Sequence, residues 1–313
     1  MTRRSWLLSA AAMAARPAGV EEFTTKSSLD GEVQHVSLVP PRGTAPAPLV
    51  VHLHSWSAHY NRSSEIEVAI AECAARGWAL ISPDFRGPND RPKACASKFA
   101  VQDVLDAVAH VRGSHSINSR RIYLLGGSGG GHMTLVMASA QPKFWAAASS
   151  WVPIVDLAAW YLFSKQQGSR YYQMLERCCG GSPGSSPAAD AEYRSRSPLF
   201  HLARAAGLPI DIEVGIHDGH TGAVPVSQSL RAFNALAAAN GKADKQIENA
   251  AIDSITREEK LPSGLVSETA EEKGRKRAAL FRRTAGPARL TIFEGGHETD
   301  FRTAIQWLET HRR

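Results

Sequence analysis

The sequence predicts an α/β fold with a mostly parallel central sheet, helices on both faces and helical insertions. Apolar runs of strand length alternate with segments of helix length along most of the chain. Strands separated by helices pair in parallel, because each helix returns the chain across one face of the sheet. With 313 residues, 43% of them hydrophobic, the chain can bury one large core.

The first half of the chain carries the clearest alternation. Strands are predicted at residues 33–39, 48–54, 78–82, 121–125 and 144–149. The helices between them are predicted at residues 65–76, 97–112 and 128–140, with Gly77 and Gly113 ending the first two.

The second half is interrupted by two insertions. Residues 156–206 are less regular and predict a helical excursion plus a loop that shapes a pocket. Regular alternation resumes with a strand at 208–215 and a helix at 225–239, and ends with a strand at 289–293 and a helix at 300–310. Residues 240–286 are too long for an ordinary connection, so helices are expected within them.

An export signal is predicted at residues 1–18, followed by a single domain over residues 19–313. Arg3 and Arg4 precede an apolar run at 6–15 with a small-x-small cleavage site at 12–14. The paired arginines resemble a twin-arginine signal, and the general secretory route stays open. No other apolar run reaches about 18 residues, so no membrane-spanning segment is expected after processing. The expected location is secreted or periplasmic.

The charged residues and cysteines exclude some classes of partner. The net charge is +6, but the basic residues are spread out, and the densest basic cluster, at 273–283, lies beside three glutamates. This pattern indicates a solvated helix rather than a nucleic-acid site. The four cysteines fit no zinc framework, and their pairing stays open.

The run Gly126-Gly127-Ser128-Gly129-Gly130 follows a predicted strand and precedes a predicted helix. This is the context of a nucleophile elbow, in which a sharp turn raises a reactive serine and the flanking glycines avoid collisions. A dinucleotide fingerprint would need glycine where His132 lies, and no P-loop lysine is present. Ser128 is therefore the predicted nucleophile.

An acid and a base follow in the required order. Asp218 comes just after the strand at 208–215, and His297 just after the last strand, behind two glycines. A neutral imidazole would accept the serine proton, and a buried carboxylate would hold the imidazole in the right tautomer. Asp211 and Asp156 are weaker substitutes for the acid.

Backbone N–H groups of Gly129 and Trp56 are the predicted oxyanion donors. Gly129 directly follows the nucleophile, and Trp56 follows an apolar strand at the place where a fold with a nucleophile elbow usually supplies the second donor. The Trp56 side chain could equally line the acyl pocket or pack in the core. His54, His217 and His220 are candidate substrate contacts, whereas core packing is expected for His132.

The chain resembles the prolyl oligopeptidase-type branch of the α/β-hydrolase superfamily, in a compact form without a β-propeller. The resemblance is carried by Ser28-Leu29-Asp30-Gly31, residues 82–87, residues 121–131, Val224-Pro225 and Gly295-Gly296-His297. It implies an α/β-hydrolase fold and an acyl-enzyme mechanism with no metal or organic cofactor. One departure concerns the segment that leads from the strand at 48–54 to Trp56, called the oxyanion loop below, where His54-Ser55 replaces the usual His-Gly pair.

The function expected is that of a secreted serine hydrolase that cleaves a carboxylic ester, a carbohydrate acyl ester being one candidate. A short-peptide substrate is the alternative, and a non-catalytic binding module on the same fold is a further one. A metallohydrolase is a weaker rival. The candidate ligands for it are His52, His54, His59, His217, Asp218 and His220. Trp56, however, lies where the familiar two-metal spacing needs an aspartate.

Overall fold

The computed structural model of the protein describes residues 19–61, 64–268 and 274–313, so the predicted export signal at 1–18 lies outside the described residues. The strands are β1 Glu21–Lys26, β2 Val33–Val39, β3 Ala47–Leu53, β4 Ala79–Pro83, β5 Ile117–Gly127, β6 Ala147–Trp151, β7 Ile210–Gly215, β8 Ala279–Ala285 and β9 Ala288–Phe293.

These strands form one sheet in the order β1-β2-β4-β3-β5-β6-β7-β9-β8. Neighbours from β4 to β9 pair in parallel, while β1, β2 and β8 join in antiparallel orientation at the two edges. The predicted mostly parallel sheet is confirmed. The edge strands β1 and β8 were not predicted, because half-exposed edge strands contain too many charged residues to give a clear apolar pattern.

The helices are α1 Ser64–Ala75, α2 Lys98–Ser114, α3 Gly129–Ala140, α4 Leu157–Gln166, α5 Tyr171–Cys179, α6 Pro187–Arg196, α7 Val226–Ala239, α8 Asn249–Glu258 and α9 Phe301–Glu309. Most bounds lie within two or three residues of those predicted. The prediction that Gly113 ends α2 was wrong, since the helix runs to Ser114, and His115 is its C-cap. No helix among the described residues is long and apolar enough to cross a membrane.

Two apolar clusters stabilise the fold. The larger one fills both faces of the sheet, and every residue of β3, β6 and β7 is buried. The smaller one lies where α4, α5 and α6 pack together, and it includes Trp56, Trp160 and Leu175. These three helices are called the cap below. They belong to the irregular stretch 156–206, and the second insertion, residues 240–286, contains α8 and β8.

Candidate active site

Ser128 occupies the turn between β5 and α3 in a strained conformation. Its φ of 57° and ψ of −119° lie outside the regions favoured by L-residues. The turn is held by hydrogen bonds from Ser128 N to Trp151 O at 2.9 Å and from His132 N to Ser128 O at 2.9 Å. A Cβ on Gly126 would collide with the backbone of Gly130, so only glycine permits this close approach.

Ser128, His297 and Asp218 form a hydrogen-bonded chain. His297 Nε2 lies 2.8 Å from Ser128 Oγ, and His297 Nδ1 lies 2.8 Å from Asp218 Oδ2. The Asp218 side chain is fully buried, and its Oδ1 accepts a bond from Val224 N at 3.2 Å. The carboxylate therefore favours the tautomer that has its proton on Nδ1, which leaves Nε2 free to accept the serine proton.

The sheet order explains how residues so distant in sequence meet. Strands β7 and β9 are parallel neighbours, so the loops after their carboxyl ends emerge side by side. The two loops are joined by main-chain bonds from Ile216 N to Phe293 O at 3.0 Å and from His217 N to Gly295 O at 2.9 Å. Asp218 and His297 lie on these loops, directly beyond the bonded residues.

The two predicted oxyanion donors lie against each other. A Cβ on Gly129 would lie 2.5 Å from Trp56 Cα and would collide with Trp56 N, so the loop after β3 packs directly on the first residue of α3. Gly129 heads the helix, where backbone N–H groups have no intrahelical acceptor. The backbone nitrogens of Gly129 and Trp56 therefore lie close together, next to the turn that holds Ser128.

The Trp56 side chain belongs to the smaller apolar cluster. It is 2% exposed and contacts Trp160 edge to face with ring centroids 4.7 Å apart. Trp160 in turn donates its indole N–H to Ala223 O at 2.8 Å. The cap is thereby connected both to the oxyanion loop and to the loop of Asp218.

His54 lies beneath the oxyanion loop. It is 1% exposed, its Nδ1 and Nε2 lie 3.0 Å and 2.9 Å from the carbonyl oxygens of Ser55 and Asp84, and its ring stacks on Phe85. Burial lowers its pKa below the ordinary value. This placement supports the loop and directs the ring away from any substrate surface.

His217 and His220, the other two substrate-contact candidates, have their rings directed toward α8. His217 lies between two carboxylates, and His220 Nε2 lies 2.7 Å from Thr256 O. His132 is buried, and its Nδ1 lies 3.0 Å from Ile154 O. Burial lowers the pKa of His132 to about 4, so this ring is neutral at physiological pH.

The substitute acids and the candidate metal ligands have other partners. Asp156 accepts from two backbone N–H groups at the start of α4, and Asp211 binds Arg289. His52 Nδ1 lies 3.1 Å from Ser82 Oγ. Within the described parts of the chain, no three His, Cys, Asp or Glu side chains group as they would around a metal ion.

Two residues of this site escaped sequence analysis. Gly222 lies against both Asp218 and His297, and a Cβ there would be 2.5 Å from the Cβ of His297. Its signal was present as a glycine in the segment between Asp218 and Val224, but a single loop glycine does not show which side chains it packs against. Trp160 carried no sequence signal, since a tryptophan in an irregular insertion has no defined neighbours.

Ser128 lies on a strained strand-to-helix turn of a mostly parallel sheet and is hydrogen-bonded to a histidine. This arrangement defines the class of protein: the chain is a serine hydrolase of the α/β-hydrolase superfamily. The family model described as the prolyl oligopeptidase family matches residues 64–252, which is more than half of the chain. The chain belongs to that family, as its motifs predicted.

Individual relatives are more distant. A poly(3-hydroxyalkanoate) depolymerase C from Paucimonas lemoignei is 28% identical over 138 residues, covering 38% of this chain and 31% of the depolymerase. The acylaminoacyl peptidase of Pyrococcus horikoshii superposes with a TM-score of 0.58 at 21% identity, covering 71% of this chain and 35% of the peptidase. A thermostable esterase superposes with a TM-score of 0.55 at 17% identity, covering 94% of this chain and 64% of the esterase.

The chain therefore spans about a third of the length of the depolymerase and of the peptidase. At these identities the structural likenesses show the fold.

Proposed function

We propose that the protein is a secreted serine esterase that cleaves a carboxylic ester through an acyl-enzyme intermediate. Ser128 acts as nucleophile, His297 as general base and Asp218 as the orienting acid. The observation that carries this proposal is the geometry of His297, whose two ring nitrogens lie 2.8 Å from Ser128 Oγ and 2.8 Å from Asp218 Oδ2.

The reaction follows from these contacts. Ser128 Oγ attacks the ester carbonyl as its proton moves to His297 Nε2, and the carboxylate of Asp218 stabilises the imidazolium. Backbone N–H groups of Gly129 and Trp56 donate to the oxyanion, and losing one such donor typically costs about 3 to 4 kcal/mol. His297 then protonates the leaving alcohol, and water releases the acid from Ser128 by the same steps in reverse.

Two resemblances support an ester over a peptide. The depolymerase is named for an ester polymer, and one structural neighbour is described as an esterase. We propose a small-molecule or carbohydrate acyl ester, or an ester of a short hydroxy acid, as the substrate class. The alcohol part would leave as a free hydroxyl compound.

A short-peptide substrate is the second candidate, and Glu65 favours it. Glu65 Oε2 lies 3.4 Å from Ser55 Oγ, on the loop that leads to Trp56. It would also lie 3.6 Å from a Cβ on Gly127, the residue before the nucleophile. A carboxylate at this position could hold a substrate amino group, as a peptidase acting near an N-terminus requires. Glu65→Gln should then abolish cleavage of aminoacyl anilides while leaving cleavage of 4-nitrophenyl acetate unchanged.

Covalent labelling tests the shared mechanism first. A fluorophosphonate probe should modify Ser128 in the folded protein, and peptide mass spectrometry locates the modified residue. Ser128→Ala should prevent labelling, whereas Ser195→Ala, at an exposed serine of α6, should leave it intact. A folded protein that resists the probe would favour the non-catalytic binding module instead.

The export signal and the single domain over residues 19–313 are part of the proposal. If the signal directs export, the full-length chain expressed in a bacterial host should lose its N-terminal residues and appear outside the cytoplasm. Replacing Arg3 and Arg4 with lysine should retain the protein inside if the twin-arginine route is used. Limited proteolysis of the processed chain should yield one resistant fragment if residues 19–313 fold together.

A further inference from the structure

Two carboxylates face the ring of His217 from opposite sides. Nδ1 lies 2.7 Å from Glu259 Oε2, and Nε2 lies 2.9 Å from Glu294 Oε1. Glu294 begins the loop Gly295-Gly296-His297, and His217 directly precedes Asp218. The ring therefore bridges the loop of the proposed base and the loop of the proposed acid.

The end of α8 is fixed by the same contacts. Glu259 caps α8 with a φ of 53°, a conformation that residues other than glycine rarely adopt. Its second carboxylate oxygen lies 3.5 Å from His220 Nδ1, and His220 Nε2 lies 2.7 Å from Thr256 O. The two histidines thus attach α8 to the loop that carries Asp218.

Both contacts of His217 form only when the ring is an imidazolium. Ionised carboxylates only accept hydrogen bonds, and a neutral imidazole has a single N–H. The hydrogen bonds to Glu294 and Glu259 raise the pKa of His217 above its ordinary value.

The other charged groups nearby have their own partners. His220 shares the Glu259 carboxylate, and Asp218 binds His297. On the Gly295 side, Glu298 pairs with Lys276 and Arg277. The charges that act on His217 itself are therefore mainly anionic.

We infer that His217 is a positioning residue, which in its protonated form holds the Asp218 and His297 loops together and sets an alkaline limit to activity. The inference rests on the proposed function. Because the pKa of His217 is raised in the folded protein, both contacts, with Glu294 and with Glu259, are present below that pKa. One of them is lost as the pH rises through it. Above it, one ring nitrogen presents a lone pair to a carboxylate, so either Glu294 or Glu259 is released.

The expected consequence is a bell-shaped dependence of kcat on pH. The ascending limb reflects the need for a neutral general base that can accept the serine proton. The descending limb belongs to His217, because loss of the Glu294 contact leaves the two loops joined only by main-chain bonds and by the Asp218–His297 bond itself. His297 is then aligned less well with Ser128 and Asp218, so kcat falls, while KM changes little.

The test compares kcat and KM for 4-nitrophenyl acetate from acidic to alkaline pH in four proteins. Wild type should show both limbs. Glu294→Gln removes one carboxylate, and the descending limb should move to lower pH by on the order of one unit. His217→Gln should show a lower plateau without a descending limb. His110→Gln, at an exposed histidine of α2, should match wild type.

The inference would be overturned if the descending limb kept its wild-type position in both Glu294→Gln and His217→Gln. It would also be overturned if these variants lost the same fraction of kcat at every pH. If His217→Gln does not fold, the nearly isosteric Glu294→Gln and Glu259→Gln decide the question by the shift alone. A wild-type protein that neither hydrolyses the ester nor reacts with a fluorophosphonate would instead refute the proposed function.

Discussion

Replacing Gly222 with alanine should inactivate the enzyme without unfolding it. The new Cβ would lie 2.5 Å from the Cβ of His297 and would collide with Asp218 Oδ1. Asp218 is buried and cannot retreat, so the two side chains must move apart. A displacement of about 1 Å at a reacting group costs roughly 10²-fold in rate. We expect kcat to fall by about that factor, with complete loss of the acid, about 10⁴-fold, as the upper limit.

Steady-state hydrolysis of 4-nitrophenyl acetate measures the effect, and thermal unfolding checks the fold. Gly113→Ala is the matched control, because a Cβ there meets nothing within 4 Å and lies in α2. It should keep full activity and gain at most about 1 kcal/mol of helix stability. If kcat of Gly222→Ala stays within a factor of about three of wild type, the activation barrier has changed by less than about 1 kcal/mol. That result would refute the close packing of Gly222 against Asp218 and His297.

Four further predictions concern other parts of the molecule. Asp218→Asn should lower kcat by about 10⁴-fold with little change in KM, and a loss below tenfold would reassign the acid. Arg86 pairs with Asp30, Glu32 and the fully buried Asp103, so Arg86→Met leaves the Asp103 carboxylate without its cation. The free energy of unfolding, measured with urea, should fall by about 3 to 5 kcal/mol. All four thiols are buried, so they should react with a disulfide reagent only after unfolding, and a deficit of two would indicate a bridge. Burial lowers the pKa of His52 from 6.5 to about 3, so folding stability should fall as the pH drops between these values, and less so in His52→Gln.

The sequence was most informative where local rules are strict. A serine between paired glycines, after an apolar strand and before a helix, can hardly form anything but a sharp turn, and the structure has that turn at Ser128. The parallel order of the strands followed from the helix-length spacing between them. The edge strands β1 and β8 were missed because pairing on one side only requires little apolar pattern.

The environment of each histidine could not be predicted from the chain alone. His54, His217 and His220 were equal candidates for substrate contact, yet His54 is buried under the oxyanion loop and the other two face α8. Burial and neighbouring carboxylates determine these states, and both depend on residues far away in sequence.

By itself the sequence determined the class of fold, the sharp turn at Ser128 and the positions of Asp218 and His297 after two strands of the sheet, because these depend on local conformation and strand spacing. Tertiary structure decided that β7 and β9 are neighbours, that Gly222 lies against Asp218 and His297, and that Glu259 and Glu294 meet at one ring. Contacts between distant segments depend on how the whole sheet and its insertions pack, and no local pattern encodes them.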